Sequence, residues 1–270
     1  MQSLNSPQGA KKLNMLFKAN TLKGYRLQSR DGDIGVANEF YFDDSYWAIR
    51  YLVAETGNWL TGRQVLLSPY SVSGISAKSE NISVDLTKHQ IENSPSIESH
   101  IPVSEQFEEQ FYGYYGYPLY WGGQYMWGGY PYMMPGVLPI DSPPKNQRSR
   151  DGHLRSTNAV THYHIQANDA EVGHVEDFLI DEATWAIRYL VIDTSNWWFG
   201  KRILISPEWI EKISWGESMV FVNLTTQTIR AAPEYNHHTD VTRQYETDLY
   251  DHYGRAGYWA GEPAPKVFVL

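Results

Sequence analysis

WAIRYLV stands at Trp47–Val53 and again at Trp185–Val191. The neighbours repeat with it. Upstream, Gly35, Phe40 and Asp43 answer to Gly173, Phe178 and Asp181; downstream, Thr56, Asn58, Trp59 and Gly62 answer to Thr194, Asn196, Trp197 and Gly200. Every pair keeps one offset, 173 − 35 = 138. Tryptophan is a rare residue, so the coincidence is not chance, and a long internal repeat frames the rest of the chain.

Followed outward, LLSP at Leu66–Pro69 aligns with LISP at Leu204–Pro207, and QFEEQFYGYYGYPLYW (Gln106–Trp121) with QYETDLYDHYGRAGYW (Gln244–Trp259). Residues 22–123 run against 160–261 without a gap, with about a third of positions identical. Units of this length are domain-sized, unlike the short units of solenoids. The expected organisation is an N-terminal arm (1–21), a first unit (22–123), a Gly/Pro/Tyr-rich linker (124–159), a second unit (160–261) and a C-terminal tail (262–270).

Composition bounds the function. A formal net charge of −9 argues against the basic stripe that nucleic-acid binding needs and against docking to an anionic lipid surface. Zero cysteines exclude disulfides, iron–sulfur clusters and thiolate chemistry. No stretch approaches the ~20 apolar residues of a spanning helix. Near the start, LNMLF is too short for a signal-peptide core, so a cytoplasmic location is expected.

Each unit opens with short β-patterned runs separated by turn formers such as Arg30-Asp31-Gly32-Asp33. The heptapeptide reads as a central strand, with Trp47, Ile49, Tyr51 and Val53 on one face and Ala48, Arg50 and Leu52 on the other. The end of each unit changes period: Val103, Phe107, Phe111 and Tyr115 recur every four residues, as do Val241, Tyr245, Leu249 and Tyr253. That spacing predicts an amphipathic helix, with Gly116 and Gly254 at left-handed C-terminal caps. The fold class expected is mainly β: two small antiparallel barrels, each followed by an amphipathic C-terminal helix.

The pattern RYLV-x-x-T-x-NW-x-x-G-[RK] followed by L-[LI]-SP resembles the PRC-barrel domain, and the second copy is the closer match. The V-x-x-x-[FY]-E-x-x-[FL]-Y-x-x-YG tail resembles that of stand-alone bacterial members. The family also includes the cytoplasmic barrel of the photosynthetic reaction-centre H subunit and the C-terminal domain of a ribosome maturation factor. In both, the resemblance implies a contact module rather than a catalyst. This chain shows neither the spanning helix of the first nor the N-terminal domain of the second.

Chemical candidates are few. His162-Tyr163-His164 would place two imidazoles on one strand face, and His237, His238 and Asp240 form a second group, but Gly24 and Arg26 stand at the first-unit positions of His162 and His164. No zinc-type spacing appears, so neither a metal nor a cofactor is expected. There is no phosphate-binding loop and no G-x-S-x-G elbow. No enzyme activity is expected, and hydrolase and oxidoreductase screens should show no turnover.

Arg50 and Arg188 stand mid-strand, where an unpaired charge is costly. Each calls for a carboxylate partner, Asp43 or Asp181, or else serves as an exposed anchor. Trp59 and Trp197 read as core rings or contact rings, and Tyr120, Trp121, Tyr258 and Trp259 as the shared contact of an intrachain pseudo-dimer. The expected function is a non-catalytic protein-interaction or assembly module. The alternatives are an accessory factor of a photosynthetic reaction-centre or electron-transfer complex and a small-ligand or metal-binding sensor. The sequence names neither the partner nor the process.

Overall fold

The computed structural model describes residues 15–60, 63–95, 103–117, 119–120, 154–194 and 200–260. The trace begins with strand β1 (Leu16–Lys18) and one helical turn, α1 (Ala19–Leu22). Strands β2 (Arg26–Ser29), β3 (Gly32–Asp43), β4 (Ala48–Glu55), β5 (Gln64–Leu67), β6 (Val72–Ser76) and β7 (Asn81–Val84) follow, then helices α2 (Lys88–Glu92) and α3 (Glu105–Tyr115). The second half repeats the series as β8 (Leu154–Ser156), α4 (Thr157–Val160), β9 (His164–Gln166), β10 (Glu171–Asp181), β11 (Ile187–Asp193), β12 (Arg202–Ile205), β13 (Ile210–Ser214), β14 (Met219–Val222), α5 (Thr226–Ala231) and α6 (Arg243–His252).

The protein is mainly β, with two sheets ordered β5-β4-β3-β2-β7-β6 and β12-β11-β10-β9-β14-β13. Neither is purely antiparallel, because β2 pairs parallel with β7 and β9 with β14. Neither path closes on itself. Ser68 caps a single 3-10 turn at Pro69–Ser71 between β5 and β6, and Pro69 has no N–H to offer a ladder. Ser206 and Pro207 repeat that turn between β12 and β13. The edge strands are therefore joined through a corner instead of being paired, and the expected closed antiparallel barrels are corrected to open mixed sheets.

The two halves exchange strands. β1 runs antiparallel on β10, with Leu16 opposite Asp181 and Lys18 opposite Leu179. β8 does the same on β3, with Leu154 opposite Asp43 and Ser156 opposite Tyr41. These registers are equivalent under the repeat offset. Ala48 and Ala186, each the other's counterpart, form an isolated bridge, supported by Ile49 N–H to the Trp185 carbonyl (2.8 Å) and Ile187 N–H to the Trp47 carbonyl (2.7 Å). Residues assigned to the N-terminal arm and to the linker thus supply sheet strands, because the outer ends of β3 and β10 extend past β2 and β9 and offer a free edge. A single cluster of buried residues runs through both sheets, and Phe42 meets Phe178 across the junction at 5.9 Å between ring centroids.

Two features within each half locate the site. Trp47 and Trp185 lie outside the strands at φ of 52° and 58°, at the tight hairpin corner before β4 and β11. A register shift between Tyr41 and Phe42 then brings Phe42 opposite Ile49 and Tyr41 opposite Tyr51. Such a bulge inverts the alternation: Ile49 packs with Leu52 and Ala54, whereas Tyr51 and Val53 join a separate cluster with Phe111, Tyr112 and Tyr120. The expected single face through Trp47, Ile49, Tyr51 and Val53 is corrected accordingly. Helix α3 is capped by the Ser104 hydroxyl and ends at Gly116 in the left-handed region; Gly254, just after α6, has φ 62°.

Gly173 has φ 144°, and a β-carbon there would stand 2.2 Å from the Asp193 carbonyl oxygen. Gly35 makes the same approach to the Glu55 carbonyl. Gly173→Ala is expected to destabilise the protein by about 1–3 kcal/mol, in the range of backbone strain. An unaltered thermal midpoint would contradict this reading.

Candidate functional site

Asp43 ends β3 and uses its two carboxylate oxygens differently. Oδ1 accepts from the backbone N–H groups of Ser45 (2.9 Å) and Tyr46 (3.3 Å), closing the hairpin corner as short Asp side chains do. Oδ2 accepts from Arg50 Nη2 at 3.2 Å, and both side chains are fully buried. The Arg50 guanidinium lies 4.0 Å from the centroid of the Tyr120 ring. The Tyr120 hydroxyl donates to Glu108 Oε1 at 2.6 Å, and the Tyr51 hydroxyl donates to the same oxygen at 2.9 Å. Burial pushes the Glu108 carboxyl up to about 8, against the opposing effect of these donors and of Arg50.

The second half builds the same network. Asp181 Oδ1 accepts from Ala183 and Thr184 N–H, while Oδ2 accepts from Arg188 Nε and Nη2, both at 3.1 Å. Arg188 lies 4.0 Å from the Tyr258 ring centroid. Tyr258 and Tyr189 both donate to Glu246 Oε1 at 2.9 Å. Burial raises the Glu246 carboxyl as well. Arg243 adds an ion pair to Glu246 Oε2 at 2.8 Å, and the first unit has Glu105 at the position of Arg243.

The structure therefore gathers Arg50 with Tyr120, and Arg188 with Tyr258, inside their respective units. Tyr120 and Tyr258 also pack against rings of their own units, Tyr112 and Tyr189, while backbone pairing through β1, β8 and the Ala48–Ala186 bridge joins the two units. Trp59 packs on the core with Lys88 Nζ 5.4 Å from its ring centroid. Trp259 packs edge-on against Tyr250 and carries Arg243 at 4.2 Å. Trp121 and Trp197 lie outside the described residues. Sequence reasoning missed Glu108 and Glu246 as the acceptors that hold the tyrosines, although both stand at one position of the repeated tail.

His162 does not share a strand face with His164: it sits before β9 at φ 77°, in the corner that Gly24 takes in the first unit. His164 Nδ1 instead meets Glu171 Oε1 at 2.6 Å. Among the described residues, no group of three or more His, Cys, Asp or Glu is arranged to hold a metal ion. No helix among them is long and apolar enough to cross a membrane.

A cleft of about 480 Å³ opens where the halves meet. Ser45, Tyr46 and Trp47 come to it from the first half, and Arg188, Glu208 and Tyr258 from the second. Tyr46 is 36% exposed, one of the few large apolar side chains at the surface among the described residues.

Residues 165–229, from β9 into α5, match the family described as PRC-barrel domain. That segment of the chain is similar to the PRC-barrel domain, and the match covers the strands and corner that carry Asp181 and Arg188. Helix α6 with Glu246, and Tyr258 beyond it, lie past the matched span. No curated protein matches the chain.

Proposed function

We propose that this is a non-catalytic protein-interaction or assembly module made of two PRC-type units in a pseudo-two-fold arrangement, the fused form of an ancestral dimer. The reciprocal β1–β10 and β8–β3 pairings and the Ala48–Ala186 bridge support the pseudo-two-fold. One observation carries the functional reading. The arginines and their acids are engaged within each unit, whereas aromatic and polar side chains from both units remain accessible around the junction cleft. Accessible aromatics at a rigid concave surface favour protein contact.

A photo-crosslinking residue at Ser45, on the cleft rim, is expected to capture a defined protein from native lysate. The capture should be competed by unlabelled protein and be absent from a control at the exposed Ser73. Equal, non-competed labelling at both sites would overturn the reading.

A further inference from the structure

The residues lining the junction cleft have counterparts at the repeat offset. Those counterparts are closed off: Trp185 of the second unit is 3% exposed, and Arg50, Tyr120 and Ala48 of the first are 0%. In the cleft itself Tyr46 of the first unit and Glu208 of the second are exposed, and Trp47 and Tyr258 are half-buried. The substitutions lie at the rim. Tyr70 stands where the second unit has Glu208, and Tyr117 where it has Arg255. Tyr70 stacks on Tyr117 at 5.5 Å and 23°, and both pack against the cluster that contains Tyr120. The first unit thus covers its arginine–tyrosine pair with phenol rings of its own. The second keeps the pair and replaces those rings with two exposed charged residues.

We propose that the cleft at the second unit is a docking site for an aromatic side chain presented by a protein partner, seated where Tyr70 sits in the first unit. This rests on the reading of the chain as an interaction module and names the group it recognises. Trp47, the Tyr258 ring and Ile210 supply apolar walls, and the exposed Ser45 supplies a hydroxyl at the rim for a phenol or an indole N–H.

The test uses the full chain and three ligands in turn: N-acetyl-tyrosine amide, N-acetyl-tryptophan amide and N-acetyl-leucine amide. The readout is the Trp47 indole N–H signal in NMR spectra, assigned with Trp47→Phe. The aromatic amides are expected to shift it saturably, and the leucine amide to bind about tenfold more weakly. Glu208→Tyr, a change at an exposed position that supplies the first unit's own cover, is expected to remove the response while leaving the remaining spectrum dispersed. Three results overturn the proposal: equal binding of the leucine amide, undiminished binding to Glu208→Tyr, or no response together with contacts from Trp47 to residues 121–153. The last would mean that the chain's own linker fills the cleft. Partner capture at Ser45 that is indifferent to Glu208→Tyr would sink this inference alone. Binding of aromatic amides without any captured partner would sink the interaction reading alone.

Discussion

Arg50→Ala is expected to destabilise the protein by about 3–5 kcal/mol, the range for removing one member of a buried ion pair. The magnitude follows from what remains behind. Asp43 is fully buried, and without the guanidinium its Oδ2 faces a low-dielectric interior with a negative charge. The Tyr120 ring also loses the cation lying 4.0 Å from its centroid. Replacing both partners should cost much less. In Arg50→Met with Asp43→Asn, the amide oxygen still accepts from Ser45 and Tyr46 N–H, so the hairpin corner survives while both charges are gone. Urea unfolding of the two variants distinguishes the outcomes: a low midpoint for the single variant, largely recovered in the double. An unchanged midpoint for Arg50→Ala would place the guanidinium in water, contrary to the structure.

The sequence makes this pair legible because a charge in the middle of an apolar strand demands a partner, and Asp43 is the nearest carboxylate at a turn. The helices are legible for a similar reason: α3 and α6 keep a four-residue apolar period over ten or more residues and end at glycine. What stays hidden is short or relational. The exchanged strands, Leu-Phe-Lys in β1 and Leu-Arg-Ser in β8, have three residues each, too few to show a period of two. The bulge beside Tyr41 and the left-handed Trp47 are set by tertiary contacts across the junction, and local propensity disfavours a bulky residue at positive φ. The parallel β2–β7 and β9–β14 pairs depend on a crossover through four intervening strands, which no local window contains. For the site, the repeat showed which tail residues matter but not what they touch, because the Tyr51–Glu108 contact joins residues 57 positions apart.

The other large effect is on pH dependence. Burial pushes Glu108 up to about 8 and Asp177 up to about 6, and it raises Glu246 in the same direction. The folded protein therefore holds protons that the unfolded chain has already released. For a carboxyl raised on folding, the unfolded state binds fewer protons across the interval, so stability falls as pH rises. The contribution of Glu108 is fully present below its ordinary carboxyl value of 4.5 and is lost progressively as pH climbs to about 8. Its limiting slope is about 1.4 kcal/mol per pH unit. Asp31, Asp85 and Asp169 are exposed acids held below their ordinary value, so they titrate under this window and do not mask it. Glu108→Gln isolates the effect: the amide oxygen still accepts from Tyr51 and Tyr120, as Oε1 does, and no proton is left to lose. Urea midpoints are expected to agree for the two proteins near pH ~5 and to separate toward pH ~8, where the wild-type chain should be the weaker. Parallel curves for Glu108→Gln and wild type would show that Glu108 is ionised in the folded protein throughout, with Arg50 shared between two carboxylates.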